Sequence, residues 1–230
     1  RLLYCLPTIH NPTTATMSPQ RRAALAEVAL RHGLRIVEDD AYAALPATPL
    51  PALAALAPGL VYYVATLAKT VTPGLRLAFL VAPDAAEANR LAIGLRVTGL
   101  MAPPLLAALG AGWIVDGTAD AIVAAIRDEA AARQVLARRI LPAEAISAHP
   151  DGYHLWLRLP AGWNQVDLVG EMRGRGVVMA ASDAFAVGGT APAAVRLALG
   201  AAADRQRLAA SLSIIAETLR GRPQSPAGIV

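Results

Sequence analysis

The sequence predicts an α/β sheet followed by a small α+β unit. Short apolar segments run in the order strand, helix, strand, loop, strand, loop, strand over the first third of the chain, which is the pattern of a sheet with crossover connections. Asn11, Asp39, Tyr42, Thr66 and Lys69 each fall just after one of the expected strands, where sheets of this class carry their ligands. With 55% hydrophobic and 17% charged residues in 230, the composition is that of a globular protein.

The chain opens on a strand, Leu2 to Leu6. Pro7 to Thr14 is dense in turn formers and reads as the loop at its carboxyl end. Ser18 and Pro19 suit the cap and first position of a helix whose apolar face includes Leu25, Val28 and Ala29, and Gly33 stops it. Strands follow at 34–38, 60–65 and 77–82, the first delivering Asp39, Asp40 and Tyr42, the second the lysine loop. From Ala85 to Val115 the pattern is helical with a break at Pro103 and Pro104, and a longer helix runs from Thr118 to about Ile140. The second unit alternates as a half-buried strand over 152–159. A helix then spans 166–175, a strand 177–180, a loop holds Phe185, a strand covers 195–199, and a last helix runs from Ala203 to Leu219. The breaker-rich tail 221–230 is expected to be mobile.

Several function classes are excluded or disfavoured. The apolar runs are cut before the ~18 residues that a membrane span needs. The net charge of +4 comes from scattered arginines interleaved with acids, weak footing for nucleic-acid binding by these residues. A single cysteine, Cys5, excludes an internal disulfide and fits a reducing, cytoplasmic setting. The histidines have no metal-ligand spacing with it.

Lys69 is the one lysine among 21 basic residues. A composition that favours arginine for any generic positive charge makes the exception chemical, because a lysine amine can lose its proton and act as a nucleophile whereas a guanidinium does not. Schiff-base formation with a carbonyl is such a chemistry, and pyridoxal phosphate is its familiar partner. A site for it needs a carboxylate on the pyridine nitrogen, donors beside the ring hydroxyl, and hydroxyl or cationic groups on the phosphate. Asp39 or Asp40 would be the carboxylate, Asn11 and Tyr42 the ring-hydroxyl partners, and Thr66 and Arg76 the phosphate ligands.

The segments Asn11-Pro12-Thr13, Glu38-Asp39-Asp40-Ala41-Tyr42, Thr66-Leu67-Ala68-Lys69 and Pro73-Gly74-Leu75-Arg76 resemble, in order, the motifs of class I/II aminotransferases of fold type I. The family spacing Asp-x-x-Tyr selects Asp39 with Tyr42. The segment 194–200 resembles the one whose arginine grips the substrate carboxylate, which implies Arg196 in that role, with Asn11 beside the substrate. More narrowly, Asn11 to Ser18, Glu38 to Tyr42, Trp113 to Asp120 and His154 to Pro160 resemble the aminotransferase-like half of MocR-type regulators of the GntR family. The chain departs from the pattern at Ala68, often serine, and at Ala78, commonly glycine.

The resemblance implies a mixed, mostly parallel large-domain sheet. Residues 1–115 would be its C-terminal part, residues 116–220 the small domain with its connecting helix, and 221–230 a tail. It also implies that the family's N-terminal portion, with a phosphate loop and a ring-stacking aromatic residue, would precede Arg1. Three functions are compatible with it: amino-group transfer between an amino acid and a 2-oxo acid, with Lys69, Asp39 and Tyr42 as the catalytic set; sensing of an amine effector on behalf of an N-terminal DNA-binding module; and a fragment unable to hold cofactor. A homodimer is the implied assembly.

Overall fold

The computed structural model describes residues 1–221; the rest of the expected tail lies outside them. The chain divides into two compact units, one of Arg1–His10 with Ala15–Asp128, the other of Asn11–Thr14 with the chain from Glu129 onward. The expected boundary at 115/116 lies just before the helix Thr118–Ile140, and the observed division falls within that helix.

The first unit contains β1 (Leu2–Cys5), α1 (Pro19–His32), β2 (Arg35–Asp39), α2 (Leu53–Leu56), β3 (Val61–Thr66), β4 (Ala78–Val81), α3 (Ala85–Gly99), α4 (Pro104–Val115) and the start of α5 (Thr118–Ile140). The sheet order is β1-β2-β3-β4; the first three strands are parallel and β4 runs antiparallel to β3. Local signals account for α1. Ser18 Oγ accepts from the Arg21 N–H at 3.2 Å, Pro19 leads, and Gly33 closes the helix at φ 57°, where a residue without Cβ meets no penalty.

Register and the two-residue period of strands give this sheet two unlike faces. Ile36 pairs with Val61 and Cys5 with Glu38; Ile36, Val61 and Cys5 pack with Ala26 and Ala29 of α1 and Leu53 of α2 in a buried core, and Glu38 is buried on the same face. The adjacent positions, Tyr4, Val37, Asp39, Val64 and Thr66, alternate to the other face, and all of them keep solvent exposure.

On the covered face sits a buried ion pair. Arg22 and Glu38, both with fully buried side chains, approach to 3.8 Å. Arg22 also donates to the carbonyls of Met17, Pro51 and Pro7 and to Thr8 Oγ1, at 2.9–3.1 Å. Glu38 accepts from the Leu53 and Ala54 N–H groups at 2.8 and 2.9 Å, capping α2, whose own cap position is an alanine. This distant cap explains why so short a helix, absent from the sequence expectation, forms in an Ala- and Pro-rich stretch.

The second unit contains β5 (Ile146–Ser147), β6 (His154–Arg158), α6 (Gln165–Gly174), β7 (Ala180–Ala181), β8 (Ala194–Ala198) and α7 (Arg205–Arg220), with the sheet in the antiparallel order β5-β6-β8-β7. Leu155, Leu157, Val195 and Leu197 enter a core with Leu168, Met172, Leu212 and Ile215 from α6 and α7. The strand expected at 177–180 is reduced to Ala180–Ala181. The Val177 N–H instead bonds the Met172 carbonyl at 2.9 Å, completing the end of α6 after Gly176 at φ 76°. Within this unit Arg205 and then Arg133 hold Glu129 well below the usual carboxylate range, at about 2.

Candidate functional site

In the first unit the site grows from the ends of β2 and β3. Asp39 ends β2 on the open face, half-buried, and its Oδ2 accepts a 2.5 Å hydrogen bond from the Tyr4 hydroxyl. Asp40, one residue on, is buried on the opposite side. There Thr8 and Tyr63 donate to it, while its Oδ1 finds no hydrogen-bond partner among the described residues. Burial pushes the Asp40 carboxyl above its ordinary range, against the pull of Thr8 and Arg22. The two aspartates that the sequence left as alternatives therefore occupy unlike environments, one open and one enclosed. Tyr42 follows in a turn with its ring buried. Arg127 braces that turn by donating to the carbonyls of Leu45 and Ala44 at 2.7 and 2.9 Å.

Thr66 ends β3. Its hydroxyl donates to the Leu77 carbonyl at 2.9 Å and accepts from the Ala68 N–H at 3.1 Å, so here the side chain ties together the two ends of the lysine loop. The loop is further closed by Thr70 donating to the Thr66 carbonyl and by the Thr72 hydroxyl accepting from the Gly74 N–H. Val71, Leu75 and Leu77 anchor it in a small core with Ala107 and Trp113 of α4 and Ala119 of α5. Gly110 of α4 permits the close approach, since a Cβ there would stand 2.9 Å from the Leu77 side chain. Above this anchor Lys69 and Arg76 are exposed. Arg76 takes the left-handed conformation, φ 52°, a strained geometry for a side chain of this size.

The second unit brings Asn11 and Arg196 together. Arg196 lies at the centre of β8, paired with Trp156 of β6 and Ala180 of β7, on the face away from the core. Its guanidinium donates to Asn11 Oδ1 at 2.8 Å, and its Cζ lies 5.2 Å from the Phe185 ring centroid. Phe185 in turn meets Trp156 edge-on at 6.4 Å. The buried Nε of Arg196 has no hydrogen-bond partner among the described residues. A guanidinium held by an amide and an aromatic face, with donors to spare, suits a planar anion such as a carboxylate.

Of the residues expected from sequence, Asp39, Tyr42, Thr66, Lys69 and Arg76 thus fall in the first unit, and Asn11 and Arg196 in the second. The sequence reading assigned no role to Tyr4, Arg127 or Phe185. Strand register was the available signal for Tyr4, because pairing with Val37 puts it on the face of Asp39. Among the described residues no group of three or more His, Cys, Asp or Glu could hold a metal ion, and no single helix is long and apolar enough to cross a membrane.

The sequence model of the family Aminotransferase class I and II matches residues 3–215. An uncharacterized HTH-type transcriptional regulator of Bacillus subtilis, YdeF, is 32% identical over 218 residues, covering 94% of this chain and 47% of the regulator. The 2-aminoadipate transaminase of Thermus thermophilus is 29% identical over 233 residues, covering 96% of this chain and 58% of the enzyme. Among solved structures, LysN, the alpha-aminoadipate aminotransferase of Thermus thermophilus complexed with N-(5'-phosphopyridoxyl)-L-leucine, superposes with a TM-score of 0.85 at 27% identity. It covers 95% of this chain and 58% of the other. The chain spans about half the length of these relatives.

Proposed function

The chain belongs to the class I and II aminotransferase family, and from that premise we propose that it carries a pyridoxal-phosphate site for amino-group transfer between an amino acid and a 2-oxo acid. The observation that carries the reading is the sorting of the first sheet: its open face bears Asp39 and Thr66 at the carboxyl ends of adjacent strands, and the loop after Thr66 presents Lys69 and Arg76 to solvent.

The donor set suits the cofactor. Asp39 has one carboxylate oxygen engaged by Tyr4 and the other left to accept a proton-bearing ring nitrogen. When bound, pyridoxal phosphate supplies an aldehyde for amine capture and a ring that withdraws electrons. Lys69 would hold the cofactor through its amine and would move the proton at the substrate Cα as general base and acid. Asp39 would hold the protonated ring nitrogen. Tyr42 and Asn11 would hold the ring hydroxyl, and Thr66 with Arg76 would hold the phosphate. Arg196 grips the substrate carboxylate in bidentate fashion, its plane fixed by Phe185 and Asn11.

The test is capture. Incubation of the chain with pyridoxal phosphate and reduction with borohydride should leave a pyridoxyl group on Lys69, read by peptide mass. An unlabelled Lys69, or equal labelling elsewhere in a Lys69→Ala variant, would sink the reading.

The similarity to the Bacillus subtilis regulator favours a second reading, in which the site binds cofactor and an amine effector and reports to a DNA-binding module. Release of oxo acid well beyond one equivalent per site supports the transaminase; release stopping at one equivalent supports the sensor. In either reading the working form is a cytoplasmic homodimer. Exposure of Ile93, Leu95 and Val97 on α3, which buries none of its residues, supports a partner surface, and sedimentation of the full-length protein checks it.

A further inference from the structure

We infer that Tyr4 is a positioning residue for Asp39, holding one carboxylate oxygen so that the other is presented to the ring nitrogen of the cofactor. The inference rests on the cofactor reading above and gives a role to the partner of Asp39 named there.

The geometry comes from register. Tyr4 of β1 pairs with Val37 of β2; Asp39, two residues on, shares that face, within diagonal reach of a long aromatic side chain. The Tyr4 hydroxyl donates to Asp39 Oδ2 at 2.5 Å, the length of a charge-assisted bond between a hydroxyl and a carboxylate. Burial and the Asp39 bond push the Tyr4 phenol up to about 12, so it remains a donor throughout the neutral range. Asp39 has no choice but to accept.

The same tyrosine contributes little to packing. It is 58% exposed and belongs to none of the buried clusters; Leu3 and Cys5, its neighbours, are the β1 residues that meet the core. What the hydroxyl adds is orientation. A carboxylate at a strand end is free to rotate, and fixing one oxygen removes that freedom before ligand arrives, so the second oxygen meets the ring nitrogen without further ordering.

The experiment measures pyridoxal-phosphate affinity of the full chain by absorbance titration, for wild type and for Tyr4→Phe, which keeps the ring and deletes the hydroxyl. The titration is repeated with the 1-deaza analogue, in which carbon replaces the ring nitrogen. If Tyr4 acts through Asp39, Tyr4→Phe weakens pyridoxal phosphate by about tenfold and the analogue by less than about twofold, with the melting temperature of the cofactor-free chain unchanged. A merely structural role would weaken both ligands alike, and that result, or unchanged affinity for pyridoxal phosphate, overturns the inference. The two levels separate cleanly. Wild type that labels at Lys69 while Tyr4→Phe binds equally well removes Tyr4 alone; wild type that never labels removes the cofactor reading and Tyr4 with it.

Discussion

The two faces of the first sheet are made from alternating residues of the same strands, yet they treat charge in opposite ways. On the covered face Arg22 and Glu38 are fully buried, and each donor and acceptor is matched to a backbone partner. On the open face Asp39 keeps solvent contact and accepts from the Tyr4 phenol. Arg35, on the same face, lies 5.9 Å from the Tyr62 ring centroid. A buried pair that is completely bonded locks structure, because removal of either member strands the other in a medium that cannot solvate it. An open carboxylate keeps unspent capacity for a ligand. One strand, Arg35 to Asp39, therefore packs its even-numbered residues into the covered face and leaves Asp39 on the open one.

The largest test of this contrast compares the two arginines. Arg22→Ala should cost about 3–5 kcal/mol, since Glu38 is left charged and buried. Arg35→Ala should cost less, about 0.5–2 kcal/mol, the range of a cation–π contact whose guanidinium is partly buried. Native-state hydrogen exchange of the β2 amides, which reports this unit without requiring the whole chain to unfold in one step, would measure both. Similar costs would break the comparison.

Adjacent apolar residues sharpen it next. Ile36 is fully buried and Val37 only partly, so Ile36→Ala should lose about 2–5 kcal/mol through transfer and cavity terms, and Val37→Ala about 1 kcal/mol or less, by the same exchange measurement.

A smaller effect is expected at Asp39→Asn, which should change stability by about 0.5 kcal/mol or less while abolishing tight pyridoxal-phosphate binding in a titration. Asp40→Asn should leave binding in place if Asp40 serves the enclosed face alone.

The smallest effect is on pH. Burial raises the folded Asp40 carboxyl above its unfolded value, so its contribution to stability is complete below the unfolded carboxylate range and is lost as pH rises through the raised folded value. Denaturant titrations of wild type and Asp40→Asn across the acid range should converge at low pH and separate as pH rises. A gap that widens towards low pH would have the wrong sign.

Much of this was legible in the chain. Ser18, Pro19 and Gly33 fix α1 by themselves, and the strands at 35–39, 61–66 and 78–81 emerge within a residue or two of their apolar runs, because capping and alternation act through nearest neighbours. The motif residues from Asn11 to Arg196 could be named from order and spacing. Features with remote partners could not. The cap of α2 is Glu38, from a strand 15 residues earlier. Two-residue strands such as β5 exist only through pairing. The antiparallel course of β4 depends on a turn held by Thr66 and Leu77.

By itself, then, the sequence named candidates for the chemistry, since the uniqueness of Lys69 and the spacing from Asp39 to Tyr42 are properties of the string. Tertiary structure decided which way each points. Strand pairing placed Tyr4 beside Asp39 and sent Asp40 towards Thr8 and Tyr63; the second sheet set Phe185 over Arg196 and gave Arg196 an amide from Asn11. The physical reason is the two-residue period of a strand, which puts neighbours on opposite faces and leaves the choice of face to whatever the sheet packs against.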